Sequence, residues 1–336
     1  MSAVVASVGA KTVVGLDARQ TGFLLRAGFP AMAESPLANA EGEAITMGFV
    51  PTLDGALVGP ERLSALARAP FEEAVAPIRD LGAEVHVAID EGCEDAALAA
   101  HLLEAMVKRV MPQANVRVEA GGEAGPGAML AAAIRALDAR QSDIVVIGGV
   151  HSDHDPRVIA ALEASGRLFS RDNLDARIPG EAAAFFVLMR AGDASRHRLT
   201  PLARVIGVGT GRERARPDND DSAYEALGLT AAVRKATEPL AAAGTTAGWL
   251  LTDLTFEMRR QYEWQSVWVR SQKVLGKPYL IDSPAQRIGY LGAAALPLFA
   301  AMAATAWSHG YAPSPLALLL AGNDGGDRAA AVLGKA

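Results

Sequence analysis

Two histidines and two aspartates lie close together in the segment GVHSDHDP, residues 149–156. His151 and His154, with Asp153 and Asp155 beside them, have a spacing that could suit a metal ion, because imidazole and carboxylate groups are common metal ligands. Two histidines in one loop are nevertheless a weak signal without a third ligand. We therefore predict no metal site here and interpret the segment as a solvated loop or a loop near a dimer interface.

The single cysteine, Cys93, is a possible nucleophile in the segment IDEGCEDAAL. Its neighbours Glu91, Glu94 and Asp95 carry negative charges, which raise the pKa of a thiol and make the reactive thiolate scarce. One cysteine also excludes an internal disulfide and a multi-cysteine metal site, and it fits a reducing compartment. We predict that Cys93 is an inert loop residue.

The composition predicts a large globular protein. The 336 residues are 50% hydrophobic and 21% charged, which argues against disorder. The 32 basic and 38 acidic residues give a net charge of −6, and no cluster of Lys and Arg indicates a nucleic-acid surface. Nucleic acid is therefore not a predicted partner.

No segment of the sequence is typical of targeting or membrane insertion. The N-terminal residues MSAVVASVGAKTVVG lack the basic segment, the long apolar core and the cleavage site of a signal peptide. The apolar run at residues 291–307 is shorter than the ~20 residues of a membrane helix, and it contains Pro297. We predict a buried helix for this run, a cytoplasmic location and no membrane partner.

Strands and helices alternate along most of the chain. Apolar patterns predict strands at residues 84–90, 115–119 and 144–147. An Ala-rich helix is predicted at residues 128–139, after a glycine-rich break, and a second half beginning near residue 199 repeats the alternation. This pattern predicts an α/β fold around a mainly parallel sheet.

Five segments follow one another in a recognisable order. They are VASVGAKTVVGLDARQTGFLLRAG (residues 5–28), IVVIGG (144–149), LFS (168–170), PGEAAAFFVLM (179–189) and LLLAGNDGGDRAAAVL (318–333). In this order the chain resembles the β-ketoacyl synthases, which are condensing enzymes of the thiolase superfamily. The resemblance implies a thiolase fold, with two similar βαβαβαββ halves in a five-layered αβαβα arrangement. We place the halves at residues 1–198 and 199–336 and expect one compact unit.

The resemblance also indicates where the catalytic cysteine of the family belongs. That cysteine lies at the N-terminus of the central helix, where the helix dipole and free N–H groups favour a thiolate and stabilise an oxyanion. Counted back from Gly148 and Gly149, its position falls near Glu123 in AGGEAGPGAML. That segment contains no Cys, Ser or Thr. The resemblance thus implies that the nucleophile is replaced.

The two other catalytic positions of the family, normally His-His or His-Asn, are also replaced according to the resemblance. The first falls in LLTDLTFEMRRQYEW (residues 250–264), at Asp253 or Leu254 with Glu257 nearby, and the second falls in SPAQRIGYLGAAAL, at Tyr290. Glu123, Asp253, Glu257 and Tyr290 are therefore our candidates for a remodelled pocket.

Two interpretations of these four residues remain open. Carboxylates that are buried together have perturbed pKa values and could act as acid and base. Alternatively, Glu123 interacts with the helix dipole and the others are satisfied structural polar groups, which is the commoner situation. No cofactor and no metal are predicted, and no residue is assigned a catalytic role.

Two classes of function follow. The first is a ketosynthase-like homologue without condensing activity, which acts as a binding, structural or chain-length-factor-like partner. Condensing activity is not expected because an enzyme that holds an acyl chain covalently needs its nucleophile. The alternative is an acyltransferase or decarboxylase that acts on acyl-carrier-protein or CoA thioesters with a remodelled active site. The sequence leaves open whether the chain is an enzyme.

The resemblance further implies protein partners. We expect a homodimer, or a heterodimer with a ketosynthase, because the family dimerises through edge strands. An acyl carrier protein is a possible partner, and an electropositive surface would be needed to bind it. Arg259, Arg260, Arg270 and Lys273 are the candidates for such a surface.

Overall fold

A computed structural model describes residues 3–217 and 224–336, apart from the side chain of Pro278. The strands in this part of the chain are β1 (Ala3–Thr12), β2 (Ala33–Ala38), β3 (Ala44–Met47), β4 (Glu84–Ile89), β5 (Asn115–Ala120), β6 (Ile144–Ser152), β7 (Glu181–Arg190), β8 (Ala203–Arg212), β9 (Ala247–Thr252), β10 (Leu275–Asp282), β11 (Leu316–Gly322) and β12 (Asp327–Lys335). The helices are α1 (Ala18–Arg26), α2 (Gly59–Val75), α3 (Ala96–Val110), α4 (Gly125–Asp138), α5 (Pro156–Ala164), α6 (Ala191–Arg196), α7 (Leu227–Ala243), α8 (Met258–Ser271), α9 (Ala285–Ile288) and α10 (Ala295–Ser308).

The strands of the two predicted halves have the same order. Strands β2 and β3 form a separate two-stranded sheet and are not counted here. The other strands of the first half are arranged β5-β4-β6-β7-β1 and those of the second β10-β9-β11-β12-β8, so that each half reads 3-2-4-5-1 in chain order. In both halves the fifth strand is antiparallel to its two neighbours, while the pairs formed by the other strands are parallel. This repetition supports a division near residue 199, and the boundary itself stays a prediction.

The two halves share a central layer of helices. Helix α4 of the first half and α10 of the second lie in one core cluster with residues from strands of both halves. Outer clusters pack α2 and α3 on the first half and α7 and α8 on the second. The layers therefore follow the predicted αβαβα sequence. The two sets of strands also meet directly, since Val4 and Val5 of β1 pair with Arg204 and Ala203 of β8.

Small residues allow this close packing of the central layer. Every residue of α10 from Ala295 to Trp307 is buried, and six of these thirteen are Ala. At the neighbouring strand β6, a Cβ added to Gly149 would overlap the carbonyl oxygen of Ala293. The apolar run at residues 291–307 is thus a buried helix, as predicted. Within residues 3–217 and 224–336, no helix is both long and apolar enough to cross a membrane.

The turn before α4 positions the candidate residue Glu123. After β5, Gly122 adopts a positive φ of 56°, and the Gly125 N–H donates to the Gly121 carbonyl oxygen at 3.0 Å. Helix α4 begins at Gly125, three residues before the predicted start, because Pro126 is well suited to the first turn of a helix. Glu123 therefore lies in a tight turn at the entrance to the central layer.

Candidate functional site

A cavity of about 410 Å³ lies where the carboxyl ends of β4, β5 and β6 meet α2 and α5. Its ionisable and phenolic lining residues are Asp90, Glu91, Cys93, Glu94, Asp95, Glu123, His151, Asp153, Asp155, Arg157, Arg167, Arg177, Tyr290 and Asp324. Part of the wall is apolar and includes Leu63, Val158 and Leu162. This size and mixture of surfaces are typical of small-molecule sites in proteins.

Two of the four predicted residues, Glu123 and Tyr290, line this cavity. Glu123 is only 5% exposed. Burial raises the pKa of its carboxyl group well above the ordinary value, and the charges of Asp324 and Asp90 raise it further. Burial therefore favours the neutral form of this carboxyl group, and the interaction of Glu123 with the helix dipole stays a prediction.

His151 lies at the centre of a buried ionic triad in the cavity wall. Its Nδ1 is 2.5 Å from Asp90 Oδ2, and its Nε2 is 3.1 Å from Asp153 Oδ2. Burial opposes a charge on the ring, but the carboxylates of Asp153 and Asp90 outweigh burial and raise the pKa of His151 to about 10. The ring is consequently an imidazolium at neutral pH.

Of the two alternatives predicted for residues 149–156, the solvated loop was wrong, and a position near a dimer interface stays a prediction. Strand β6 continues to Ser152, because Val150 and His151 pair with Ala183 and Ala182 of β7. His151, Asp153, His154 and Asp155 are all less than 5% exposed. The polar residues of this segment belong to the end of β6 and to the N-terminal cap of α5. Asp155 is the capping residue, because it accepts a hydrogen bond from the Arg157 N–H at 2.8 Å.

Both carboxylates of the triad are fixed by backbone groups. Asp90 Oδ1 accepts a hydrogen bond from the Ala293 N–H at 3.0 Å, and Asp153 Oδ2 accepts one from the Gly180 N–H at 3.1 Å. Burial alone would raise the pKa of Asp153, but His151 and, more weakly, Arg177 hold it below the usual value. The triad is therefore a rigid part of the wall.

Tyr290 connects the triad to a further cation, Arg177. The Tyr290 ring meets the His151 ring edge to face, with centroids 5.0 Å apart. The guanidinium carbon of Arg177 lies 4.1 Å from the Tyr290 ring centroid, which is cation–π geometry. Tyr290 therefore orders two cationic side chains at the cavity.

Asp253 and Glu257 are placed elsewhere, outside the cavity lining. Asp253 accepts two hydrogen bonds from Arg260 Nη2, each of 2.7 Å, and a third from the Gly322 N–H. Glu257 accepts one from Arg167 Nε at 2.7 Å. Both carboxylates are buried and satisfied, as expected of structural ion pairs. The structure thus does not assemble the predicted cluster of four residues.

Several cavity residues were not among the four pocket candidates from the sequence, and Asp153 was considered only as a metal ligand. Asp90 directly follows β4, Asp153 follows β6, and Asp324 comes two residues after β11. Their shared signal is a polar residue at the carboxyl end of a strand, where sites of parallel α/β sheets form. Arg177 carries no such signal, because it lies in the irregular segment between α5 and β7.

Cys93 lies in the cavity lining and is half-buried. Burial raises the pKa of its thiol, and the charge of Asp90 raises it further. This raised pKa agrees with the prediction made from the acidic neighbours of Cys93, although the charge of Asp90 raises it more than the charge of Asp95 does. Among the residues that the structure describes, no three His, Cys, Asp or Glu side chains are grouped so that they could hold a metal ion.

The four candidates for an electropositive surface do not form one. Arg260 is buried and paired with Asp253, and Arg259 Nη2 donates to Asp324 at 2.8 Å. Of the four side chains, Arg270 and Lys273 are the exposed ones. Arg270 donates to the Glu225 carbonyl oxygen at 2.6 Å.

Comparison with solved structures identifies the architecture. The chain aligns over 100% of its length with the ketosynthase from module 6 of the bacillaene synthase from Bacillus subtilis 168, at a TM-score of 0.81, with 15% identity and 72% of that chain covered. It aligns equally fully with the ishigamide ketosynthase/chain length factor, at a TM-score of 0.81, with 17% identity and 99% of that chain covered. The chain has the thiolase-like fold of the ketosynthases.

A third structure with this fold is a complex. It contains a type II polyketide synthase acyl-carrier protein with its ketosynthase bound to the hexaketide. The match has a TM-score of 0.81 and 14% identity, and it covers 100% of this chain and 99% of that one. No protein-family model and no curated protein sequence matches the chain. At these low identities the ketosynthase-like fold is established, and the activity has to be argued from the cavity.

Proposed function

We propose that the chain is a ketosynthase-like protein without condensing activity, which acts as a binding or structural partner of an active ketosynthase in the manner of a chain length factor. The observation that carries this proposal is Glu123, which occupies the turn before the buried central helix α4. A carboxyl group lacks the sulfur that forms the thioester on which condensation depends. No Cys, Ser or Thr lies within residues 120–130.

Cys93 is a poor substitute for the missing nucleophile. Its thiol lines the same cavity, but burial and Asp90 raise its pKa, so that the thiolate is scarce at neutral pH. Its turn follows β4, whereas the turn at Glu123 follows β5 and leads into the central helix. These features support a protein that has kept the scaffold and lost the condensation chemistry.

The open edge of β5 supports the dimer. In the described part of the chain β5 pairs with β4 alone, and its residues from Asn115 to Ala120 are exposed or half-buried. An edge strand with free N–H and C=O groups can pair with a strand of another subunit. A ketosynthase/chain length factor is among the proteins with this fold. We therefore propose a heterodimer with a ketosynthase, with a homodimer as the other possible assembly.

The test of inactivity uses carrier protein and CoA loaded with malonyl and acyl groups. After incubation, intact-mass spectrometry is expected to show no added mass on the chain, and product analysis to show no decarboxylation or acyl release. Covalent acylation of the wild-type protein would contradict the proposal. Mapping the adduct would then show whether Cys93 carries it.

The second candidate function is that of a decarboxylase or acyltransferase, which the cavity of about 410 Å³ and its neutral Glu123 favour. In the same assay, turnover that is lost in Glu123→Ala would establish this function and overturn the first. Glu61→Ala, at an exposed position of α2, is the matched control and is expected to behave as the wild type.

The test of partnership is the oligomeric state in solution. Light scattering at micromolar concentration, with the chain alone and mixed with candidate ketosynthases, is expected to give a dimeric mass. A monomeric mass in every mixture would contradict the proposed assembly, whatever the result of the activity assay.

A further inference from the structure

Arg177 differs from the other arginines of the cavity wall in its bonding. Arg157 donates to Asp155 and Asp95, and Arg167 donates to Glu257 and Asp324. The Nε of Arg177 is buried and has no hydrogen-bond partner within the described residues. A buried N–H donor without a partner costs about 1–3 kcal/mol, so a bound group that accepts from it would be stabilising.

The neighbours of Arg177 are suited to an acceptor group. The Tyr290 ring packs against the guanidinium, with its centroid 4.1 Å from the guanidinium carbon, and Tyr290 lines the same cavity as Glu123. Burial raises the pKa of the Glu123 carboxyl group and so favours its neutral form, which can donate an O–H to an anion instead of repelling it. Arg177, Tyr290 and Glu123 together thus supply N–H and O–H donors.

The remaining lining decides which anion fits. Asp90, Glu91 and Asp324 also border the cavity, and their negative charges repel a doubly charged phosphate more than a singly charged ligand. The two oxygens of a carboxylate match the planar fork of a guanidinium. The apolar wall at Leu63 and Leu162 is suited to a short hydrocarbon chain.

We propose that the cavity binds a short-chain organic carboxylate, whose carboxylate group lies on the guanidinium of Arg177 and whose chain lies along the apolar wall. The ligand is bound as a free acid and forms no covalent bond. This binding site goes beyond the proposed partner role. Its test involves no carrier protein or ketosynthase, so either proposal can fail alone.

Cys93 provides the measurement, because it is the single cysteine of the chain and lines the cavity. The rate of its alkylation by iodoacetamide is measured at pH 8 with butyrate, with butyramide as the neutral control of similar shape, and with inorganic phosphate. If the occupied cavity shields the thiol, butyrate at about ten times its dissociation constant slows alkylation about tenfold by mass action. Butyramide and phosphate are expected to have no effect at the same concentration.

The variants assign the effect to Arg177. Butyrate binding is also expected to raise the Tm of the wild-type protein. Protection and the rise in Tm should disappear in Arg177→Gln and weaken in Arg177→Lys, which keeps the charge without the planar fork. Arg171→Gln is the matched control, since Arg171 is exposed in the same segment and does not line the cavity. If Arg177→Gln does not fold, the proposal is tested by Arg177→Lys and by the comparison of butyrate with butyramide on the wild-type protein.

Three outcomes would overturn the proposal. The first is the absence of both protection and a rise in Tm when butyrate is added to the wild-type protein. The second is equal protection by butyramide or by phosphate, which would show that the carboxylate is not what the cavity recognises. The third is full protection of Arg177→Lys and Arg177→Gln at the same butyrate concentration.

Discussion

The charge of His151 is set by the two carboxylates on either side of its ring. Asp153 is buried almost completely, and Asp90 is partly open to the cavity. Removal of the imidazolium would leave Asp153 without its nearest cation in a region of low dielectric. Uncompensated buried charges of this kind destabilise proteins strongly.

We expect His151→Asn to lower the free energy of unfolding by about 3 kcal/mol. Urea denaturation followed by circular dichroism measures this loss. His197→Asn is the control, because His197 is exposed, and it should change stability by less than about 0.5 kcal/mol. An equal effect of the two substitutions would show that the triad adds no stability.

The same pair of proteins gives a pH dependence. The folded-state pKa of His151, about 10, lies above the value of about 6.5 in an unfolded chain. Its stabilisation is therefore complete below about pH 6.5 and is lost as the pH rises towards 10. The difference in unfolding free energy between the wild type and His151→Asn should shrink over this range, and a constant difference would contradict a charged ring.

Glu123 is expected to have the opposite effect on stability at neutral pH. Its pKa is raised in the folded state, so stability is lost as the pH rises above about 4.5, where the unfolded chain ionises. Glu123→Gln keeps the shape and cannot ionise, so it should be more stable than the wild type at pH 7. Denaturation at pH 4 should show the two proteins nearly equal.

The sequence could identify only part of this site. Glu123 and Tyr290 were found because motif order fixes their positions along the chain, and both line the cavity. Asp253 was assigned to the same pocket by the resemblance to ketosynthases. Its pairing with Arg260 depends on the position of helix α8, which the sequence did not reveal. Arg177 was missed because an arginine in an irregular segment has no pattern.

At the scale of elements, glycines control how closely β6 approaches the residues before α10. We expect Gly149→Ala to destabilise the protein by about 3 kcal/mol, because the added methyl would overlap the backbone of Ala293, which cannot move aside easily. Thermal unfolding measures the change.

The control for this substitution is Gly192→Ala. Gly192 lies in the first turn of helix α6, and a Cβ added there would meet open space, so the alanine should stabilise the protein by up to about 0.5 kcal/mol. Unchanged stability of Gly149→Ala would mean that the contact between strand and central layer is looser than the structure indicates.

Elements with regular apolar patterns were predictable, and amphipathic or interrupted ones were not. Residues 84–90 and 115–119 were predicted as strands and correspond to β4 and β5. The helix α8 was not recognised, because its buried face includes the charged Arg260 and Glu263, whose burial depends on ion pairs. Strand β10 was missed because Gly276 and Pro278 are poor strand residues.

At the scale of the whole molecule, the halves share one core and should unfold together. Helices α4 and α10 lie in a common cluster with strands of both halves, and β1 pairs with β8. We expect coincident transitions from far-ultraviolet circular dichroism and tryptophan fluorescence in urea, which is informative because all four tryptophans lie after residue 199. Two separated transitions would show that the halves are independent.

The repeated strand order could not be predicted from sequence identity between the halves, which is too weak to reveal a duplication. It was predicted from the resemblance to ketosynthases, and the fold comparisons confirm the thiolase-like arrangement. Packing between sheets and helices requires only apolar residues of suitable size, so many different sequences can form the same layered fold. The fold is thus far more predictable than the chemistry.

Asp90 touches both halves of the molecule, since one of its oxygens meets His151 and the other accepts the Ala293 N–H. A change at Asp90 would therefore alter the cavity and the junction of the halves together, whereas Cys93 and Val158 are free of this double constraint. Evolution of a new ligand preference should begin at such unconstrained wall positions. A laboratory selection for altered binding is expected to collect substitutions there while Asp90 persists.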